Sequence, residues 1–583
     1  MARRKIIDKQ PSAQEGLEVA SRYGADERRR GFSPRLKVIF LGGLNQIGRN
    51  ITAYEYGEDI IVVDCGVSFP DDNMLGVDLV IPDTTYLEKN AERVRGLVLT
   101  HGHEDHIGAV PFLLKKMNIP VYGTALTLGI LENKLAEHGI EKSAVLNVVE
   151  LGSTIQLGEF SVEFITVNHS IADAAALAIT SPAGVVVHTG DFKIDLTPPE
   201  GTSIDLARLA ALGSKGVLAL LCESTNVDRP GYTPSETVVS SSLDRLLFNC
   251  DTRVIIATFS TNVHRVQQII NASCRYGRKV AITGRSMINV VRAAIRLGYI
   301  KSPEGTLIEA SEIKRYKPSQ ITLLTTGSQG EPMSALHRMA FGDHSQISVG
   351  SDDLVILSSS AIPGNEKLIS NIINELLRRG CEVVNDDIAD VHVSGHACRE
   401  EIKIMHALTK PRYFIPMHGE YRHLKHHADL ARDMGMDERN ILVPEIGKVI
   451  EMSKRWMKVI GSVPAGTVLV DGYGVGDIGL TVLRDRKRMS EDGLVVVAAA
   501  VESVGRYVVG NIEVVSRGFV YVKEAEELIS ETSKLVERVI TERLDHGATD
   551  MNALKNKLCE QVSGFLYQRT KRRPIVIAVI NEV

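Results

Sequence analysis

Six consecutive residues constrain this chain most: His101-Gly102-His103-Glu104-Asp105-His106. They follow a short apolar run, Gly96 to Thr100, and precede an amphipathic stretch, Ile107 to Met117. In extended backbone, residues i and i+2 project to the same side, so His101 and His103 share a face. Asp105 and His106 then fall at a helix start. Three imidazoles and a carboxylate at a strand-to-helix corner can face two metal ions at once. These donor types suit zinc or manganese. An ordinary solvated turn does not carry ligands at this density.

Two ions need more donors than one loop supplies. Further donors stand where other apolar runs end. His169 follows Val162 to Val167, and Asp191 follows Gly184 to His188. His418 sits in Ile415-Pro416-Met417-His418-Gly419-Glu420. Each alone reads as a turn residue. Together, all placed after strands, they predict one site along the edge of a sheet.

The chain has 583 residues, 17 histidines and a formal net charge of −5. Hydrophobic residues make up 44% and charged residues 24%, which excludes a disordered or collagen-like chain. The negative balance excludes a protein that coats nucleic acid by bulk charge, though not a local basic channel. Seven scattered cysteines, with no C-x-x-C pair, argue for reduced thiols rather than a disulfide scaffold. No apolar run approaches the length of a membrane span. Residues 1–34 are polar and Arg-rich, without a signal-type apolar core, and read as a flexible basic arm.

Texture changes along the chain. Up to about residue 233, short strands dominate. From 234 to 388, strand-like runs at Arg253 to Thr258, Lys279 to Thr283, Gln320 to Thr325 and Asp353 to Ser358 alternate with helical segments such as His264 to Tyr276. That alternation predicts a parallel, doubly wound unit. From 389 to 460 the histidine-rich style returns, as a domain inserted into another would make it. Residues 461–493, rich in Gly and polar residues, read as a linker. Residues 494–583 read as a small α/β domain with a helix from about Lys523 to Leu544.

The pattern His101-x-His103-x-Asp105-His106, then His169, then Asp191, resembles the metallo-β-lactamase superfamily. Glu223 in Cys222-Glu223-Ser224-Thr225, His396 in Ser394-Gly395-His396, and His418 resemble motifs A, B and C of the β-CASP nucleases. From about Leu36 to Val583 the chain resembles the ribonuclease J family. Supporting stretches are Leu41 to Asn50, Val391 to His396 and Arg517-Gly518-Phe519-Val520-Tyr521. Glu223 stands where the β-CASP pattern admits either acid, a difference of one methylene in reach. The fold class implied is a metallo-β-lactamase αββα sandwich, residues 35–233 and 389–460. A doubly wound β-CASP domain is inserted at 234–388, and a small C-terminal α/β domain follows the linker.

The resemblance implies two divalent ions per subunit, zinc first, with manganese or magnesium as alternatives. His101, His103 and His169 would hold one ion, and Asp105, His106 and His418 the other, with Asp191 between them. Such paired ions lie about 3.5–4 Å apart, which calls for a shared carboxylate. Glu223 is expected to orient a ligand histidine. His396 is expected to bind the scissile phosphate or protonate the leaving oxygen. His392, Val393, Ser394, Gly395 and His396, together with Ser328, are expected to contact substrate. Ser328 lies in Thr326 to Glu331, one of two loops, with Phe259 to Asn262, expected at carboxyl ends of parallel strands, where α/β sheets bind ligands.

Two other features compete for attention. Gly42-Gly43-Leu44-Asn45-Gln46-Ile47-Gly48 lacks the spacing of a dinucleotide fingerprint and reads as a strand turn beside the site. Arg569-Thr570-Lys571-Arg572-Arg573 is a basic cluster whose neighbour Tyr567 offers a ring for base stacking. The implied activity is a cytoplasmic ribonuclease for RNA maturation and decay. It would act as a 5′-to-3′ exonuclease preferring 5′-monophosphate ends, and also as an endonuclease. A homodimer or homotetramer, and partners in an RNA-decay complex, are implied with it. The alternatives are a β-CASP DNA nuclease, a small-molecule metallo-hydrolase, and a non-catalytic RNA-binding scaffold subunit. The scaffold reading predicts a broken ligand set, and here every ligand is present.

Overall fold

The computed structural model describes residues 35–199, 201–362, 364–502, 507–520, 526–546 and 550–583. The N-terminal arm, Tyr521 and the first turn of the helix expected from Lys523 lie outside the described residues. The chain divides into two compact units. One holds the chain up to Ser68 and Ile81–Thr467, the other Phe69–Val80 and Val468–Val583.

The larger unit is built on two facing sheets. The first runs in the order Met457–Ser462, Lys448–Met452, Leu36–Phe40, Thr52–Tyr56, Asp59–Val63, Val94–Val98, Val121–Gly123, Leu146–Val148. The second runs Tyr413–Met417, Ala219–Glu223, Gly184–His188, Ala175–Ser181, Phe160–Thr166, Thr154–Leu157. Their strands alternate, and the inward set packs as one core. Phe40, Tyr54, Ile61 and Val98 come from the first sheet, and Phe164, Leu177, Leu221 and Ile415 from the second. Burying each such side chain contributes about 1.5–3 kcal/mol, which holds the layers together.

Ala219–Glu223 and Tyr413–Met417 are parallel neighbours in the second sheet, with Glu223 opposite Met417. All of the inserted chain lies between them in sequence. The insertion therefore leaves and returns at one sheet edge, which sets His418 beside Ser224: Ser224 N donates to His418 O at 3.1 Å.

The inserted chain forms a six-stranded sheet, in the order Leu307–Ile308, Lys279–Ile282, Ile321–Thr325, Arg253–Ala257, Asp353–Leu357, Glu382–Val384. Every neighbouring pair is parallel. The four expected strands are present, each within a residue or so of its sequence bounds. The helix expected at His264 to Tyr276 spans Val263–Arg275 and buries Val266, Ile269 and Ile270. Asn262 caps it, accepting from Arg265 N at 2.9 Å. The Phe259 to Asn262 loop is thus a helix start.

In the smaller unit, Leu494–Glu502 is the central strand. It pairs antiparallel with Tyr507–Arg517 and parallel with Ile575–Glu582. Val495, Val497, Ala499 and Val501 lie on one face against helices Glu526–Asp545 and Met551–Thr570. The second of these helices is absent from the sequence reading, although Leu554, Leu558, Val562 and Leu566 recur every four residues and are all buried. The linker expected at 461–493 is also corrected. It contains strand Thr467–Asp471 and helix Leu480–Asp492, whose Arg486 bonds Leu75 O at 2.9 Å and Asp471 at 2.6 Å. Gly479 and Gly493 flank that helix as caps, so the glycines that suggested a linker mark helix ends.

Candidate metal centre

The motif loop folds as its residue types dictate. His101 ends the extended segment after strand Val94–Val98, and helix Glu104–Ile107 begins behind His103. Gly66 is required beside it, since a Cβ there would lie 1.6 Å from Asp105 O. His101 Nε2 and His169 Nε2 each lie 3.0 Å from His103 Nδ1. Asp191 Oδ2 sits in the middle of the cluster. It is 3.3 Å from His106 Nε2, 3.5 Å from His418 Nε2, 3.8 Å from both His101 Nε2 and His169 Nε2, and 3.9 Å from His396 Nδ1. His418 Nε2 is 3.1 Å from Asp105 Oδ2.

All the expected ligands are thus brought together, in overlapping groups. His101, His103 and His169 form one, and Asp105, His106, Asp191 and His418 another. A third group joins Asp191 and His418 to Glu223 and His396. Divalent cations fit this arrangement. Three imidazoles turn lone-pair nitrogens toward one point, and Asp191 Oδ1 is buried with no hydrogen-bond partner. Burial keeps His101 and His169 well below the usual imidazole range and His103 down at about 4. They are therefore neutral, the form a metal ligand needs. Burial opposes ionisation of Asp191, but His418 and His106 outweigh it and hold the carboxylate well below its ordinary range.

The far side of each ring is also fixed. His169 Nδ1 donates to Gly395 O at 2.7 Å, and His418 Nδ1 lies 2.8 Å from Thr225 Oγ1. His106 Nδ1 is 2.7 Å from Asp64 Oδ2. Thr100 N and Thr100 Oγ1 each donate to Asp64 at 2.8 Å. Asn50 Nδ2 donates to Asp105 O at 3.0 Å. Sequence alone assigns no role at the site to Asp64, Thr100, Thr225 and Asn50. Asp64 carried the same signal as Asp191, an acid at a strand end. Its φ of 60° is a strained backbone state that persists only where the surroundings enforce it.

Glu223 corrects one expectation. Its Oε2 lies 2.8 Å from His396 Nδ1, and its Oε1 accepts from Phe192 N at 2.8 Å. The histidine it orients is His396, and the same carboxylate holds the Asp191 loop. Burial works against protonation of His396, but Glu223 overrides it and raises the imidazole to about 9.

The Ser394-Gly395-His396 loop closes over the cluster. Ser394 Oγ accepts from Asn226 Nδ2 at 2.8 Å and from His396 N at 3.2 Å. Gly395 is required, because a Cβ would meet His169 at 2.7 Å. No hydrogen bond joins the His392 or Val393 side chain to the cluster among the described residues. Val393 is buried, and His392 lies among Arg265, Glu236 and Lys193, held down at about 3 chiefly by burial. Ser328 is buried beyond strand Ile321–Thr325, and its carbonyl accepts from Ser359 Oγ at 3.1 Å. No hydrogen bond joins Ser328 to the histidine cluster among the described residues. The Gly42-Gly43 turn does sit beside the cluster, as Gly43 O accepts from His418 N at 3.0 Å. Tyr567 is exposed and has two cations against its ring, with Arg573 4.4 Å and Lys571 5.5 Å from the ring centre. A cleft of about 790 Å³ opens beside His169, lined by Asn168, Asp173, Lys193, Glu236 and Tyr299 among others.

Comparison with known proteins agrees with this geometry. The metallo-beta-lactamase superfamily model matches residues 44–256, and that of the ribonuclease J beta-CASP domain matches 251–376. A Zn-dependent metallo-hydrolase RNA specificity domain matches 382–444, and the ribonuclease J C-terminal domain matches 481–583. A solved structure titled a protein of unknown function from Enterococcus faecalis V583 shares the fold over 72% of this chain and all of its own. Its TM-score is 0.51 and its identity 17%. Ribonuclease J2 of Bacillus subtilis (strain 168) is 41% identical over 94% of this chain and 99% of its own. Ribonuclease J of Thermus thermophilus is 42% identical over 95% and 96%. With matches of that identity along almost its whole length, the chain belongs to the ribonuclease J family.

Proposed function

We propose that this protein hydrolyses RNA phosphodiester bonds as a metal-dependent ribonuclease. It acts as a 5′-to-3′ exonuclease preferring 5′-monophosphate ends and also as an endonuclease, in RNA maturation and decay. The carrying observation is Asp191 Oδ2, within 3.3–3.9 Å of five imidazoles, one of them the Glu223-paired His396. His101, His103 and His169 would hold one divalent ion, and Asp105, His106 and His418 the other, with Asp191 shared and zinc the first choice. When bound, such a pair polarises phosphate oxygens and supplies an activated water at neutral pH.

The chain's own residues do the rest. Glu223 takes the Nδ1 side of His396, which leaves Nε2 to donate to a phosphate oxygen or to the departing 3′ oxygen. Asp64 and Gly395 O fix the tautomers of His106 and His169, and Thr225 Oγ1 holds the Nδ1 side of His418, so each presents Nε2 to the centre. Ser394 and the backbone around Gly395 line the approach to His396. The sandwich of 35–233 with 389–460 carries this centre, and 234–388 supplies the facing wall. The domain at 494–583 supports assembly into a homodimer or homotetramer. We place the protein in the cytoplasm, in contact with RNA-decay partners. No described helix is long and apolar enough to cross a membrane.

The test is an assay on RNAs of one sequence bearing 5′-monophosphate or 5′-hydroxyl ends, with metal stripped and restored. Mononucleotides should be released from the monophosphate RNA first, and only after restoration. RNA left intact with zinc, manganese and magnesium each restored overturns the reading. Equal hydrolysis of the matching DNA moves it to a general β-CASP nuclease.

A further inference from the structure

Glu401 is a fully buried carboxylate in the first turn of helix Arg399–Thr409. Burying such a charge costs several kcal/mol unless hydrogen bonds replace its water. Three backbone N–H groups do so. Ile194 N donates to Oε1 at 2.7 Å. Thr233 N and Cys398 N donate to Oε2 at 2.7 and 2.8 Å. The bond to Cys398 alone would cap the helix. The other two reach across 207 and 168 residues of sequence, so capping does not account for them.

Two of the three segments carry reacting groups, and the third is bonded to one of them. Ile194 stands three residues after Asp191, and Cys398 two residues after His396. Thr233 lies where the chain passes into the inserted domain, and its Oγ1 donates to His396 O at 2.7 Å. Glu401 touches neither the ligand cluster nor the approach to it. We propose that Glu401 is a positioning residue whose carboxylate clamps these three segments and so sets the distance between Asp191 and His396. Charge-assisted bonds to backbone are short and directional, which suits them to hold a spacing between distant parts of the chain.

This inference rests on the metal assignment above, so its test includes a reading that needs no turnover. Full-length protein and Glu401→Gln are compared with cobalt(II) as the metal probe. Glutamine keeps the side-chain size but turns one oxygen into a donor that faces an N–H. The variant should still fold, melting below wild type because a buried N–H then faces a donor. It should bind cobalt about 10–100-fold more weakly, with altered visible bands. On 5′-monophosphate RNA its kcat should fall about 100-fold with KM unchanged.

Wild-type cobalt binding, bands and kcat in the variant overturn the proposal. So does an activity loss that only tracks the unfolded fraction while the folded part keeps wild-type bands. If Glu401→Gln does not fold, Glu401→Asp, with its carboxylate drawn back by one methylene, takes its place and the same outcomes decide. If wild-type protein binds cobalt yet hydrolyses no RNA, the ribonuclease reading falls, and the cobalt results still decide the role of Glu401.

Discussion

Two groups of buried histidines lie in the same unit and differ in one respect. His101, His103 and His169 turn ring nitrogens toward one another beside Asp191, whose Oδ1 has no hydrogen-bond partner. His406 and His427 are also buried, with Nε2 atoms 3.1 Å apart, but His427 Nδ1 meets Ser224 Oγ at 3.0 Å. Of the second pair, one nitrogen can donate to the next, and the hydroxyl completes the chain. In the first group His169 Nδ1 donates to Gly395 O, so its Nε2 is a lone pair, and His103 Nδ1 can serve only one of the two nitrogens that face it. Burial alone therefore does not distinguish a ligand histidine from a structural one. The balance of donors and acceptors does.

The largest test of that contrast is His106→Ala. It should remove several kcal/mol of transition-state stabilisation, about 1000-fold or more in turnover, while RNA binding in chelator stays near wild type. Turnover at wild-type level would place the metal elsewhere. Next comes metal removal. Ions bound only by the folded chain at about 100–1000 times Kd add about 3–4 kcal/mol, so chelation should lower the melting temperature, and restored zinc should recover it. A chelated sample that melts unchanged would mean the convergent nitrogens hold nothing. Asp64→Asn, which weakens the orientation of His106, should cost about 10–100-fold in metal affinity or activity. If it behaves as wild type, the His106–Asp64 contact does not set the tautomer.

The smallest effect on turnover concerns the second group. Burial lowers His406 to about 4 and holds His427 well below its ordinary range. The unfolded chain takes up these protons near pH 6.5, while the folded chain refuses the His406 proton until about 4. The unfolded state thus binds more protons across that window, and stability falls as pH falls, by about 1.4 kcal/mol per pH unit for each such group. Denaturant melts of metal-free protein between pH 6.5 and 4 should show a shallower loss in His406→Gln than in wild type. An unchanged slope would remove His406 from the account. RNA turnover at neutral pH should be retained in this variant, since the pair holds no metal.

Much of this was legible in the chain. The strands Gly184–His188 and Arg253–Ala257 and the helix Val263–Arg275 follow from local periodicity, and the structure has them almost where the residues place them. The donors His101 to His106 announce themselves by density. Helix Met551–Thr570 was legible too, in its four-residue apolar spacing, but the polar residues between weaken the signal. Helix Leu480–Asp492 was hidden because glycine marks both linkers and helix ends.

The sequence by itself determined which elements form and which side chains can bind metal or move a proton, because those properties belong to single residues and their near neighbours. Tertiary structure alone decided that Glu223 serves His396, that Asp64 orients His106 and that Glu401 joins three distant turns. Glu223 and Glu401 meet their partners across the insertion, and Asp64 meets His106 through the parallel pairing of Asp59–Val63 with Val94–Val98. No local pattern of residues records which strands become neighbours across such a gap.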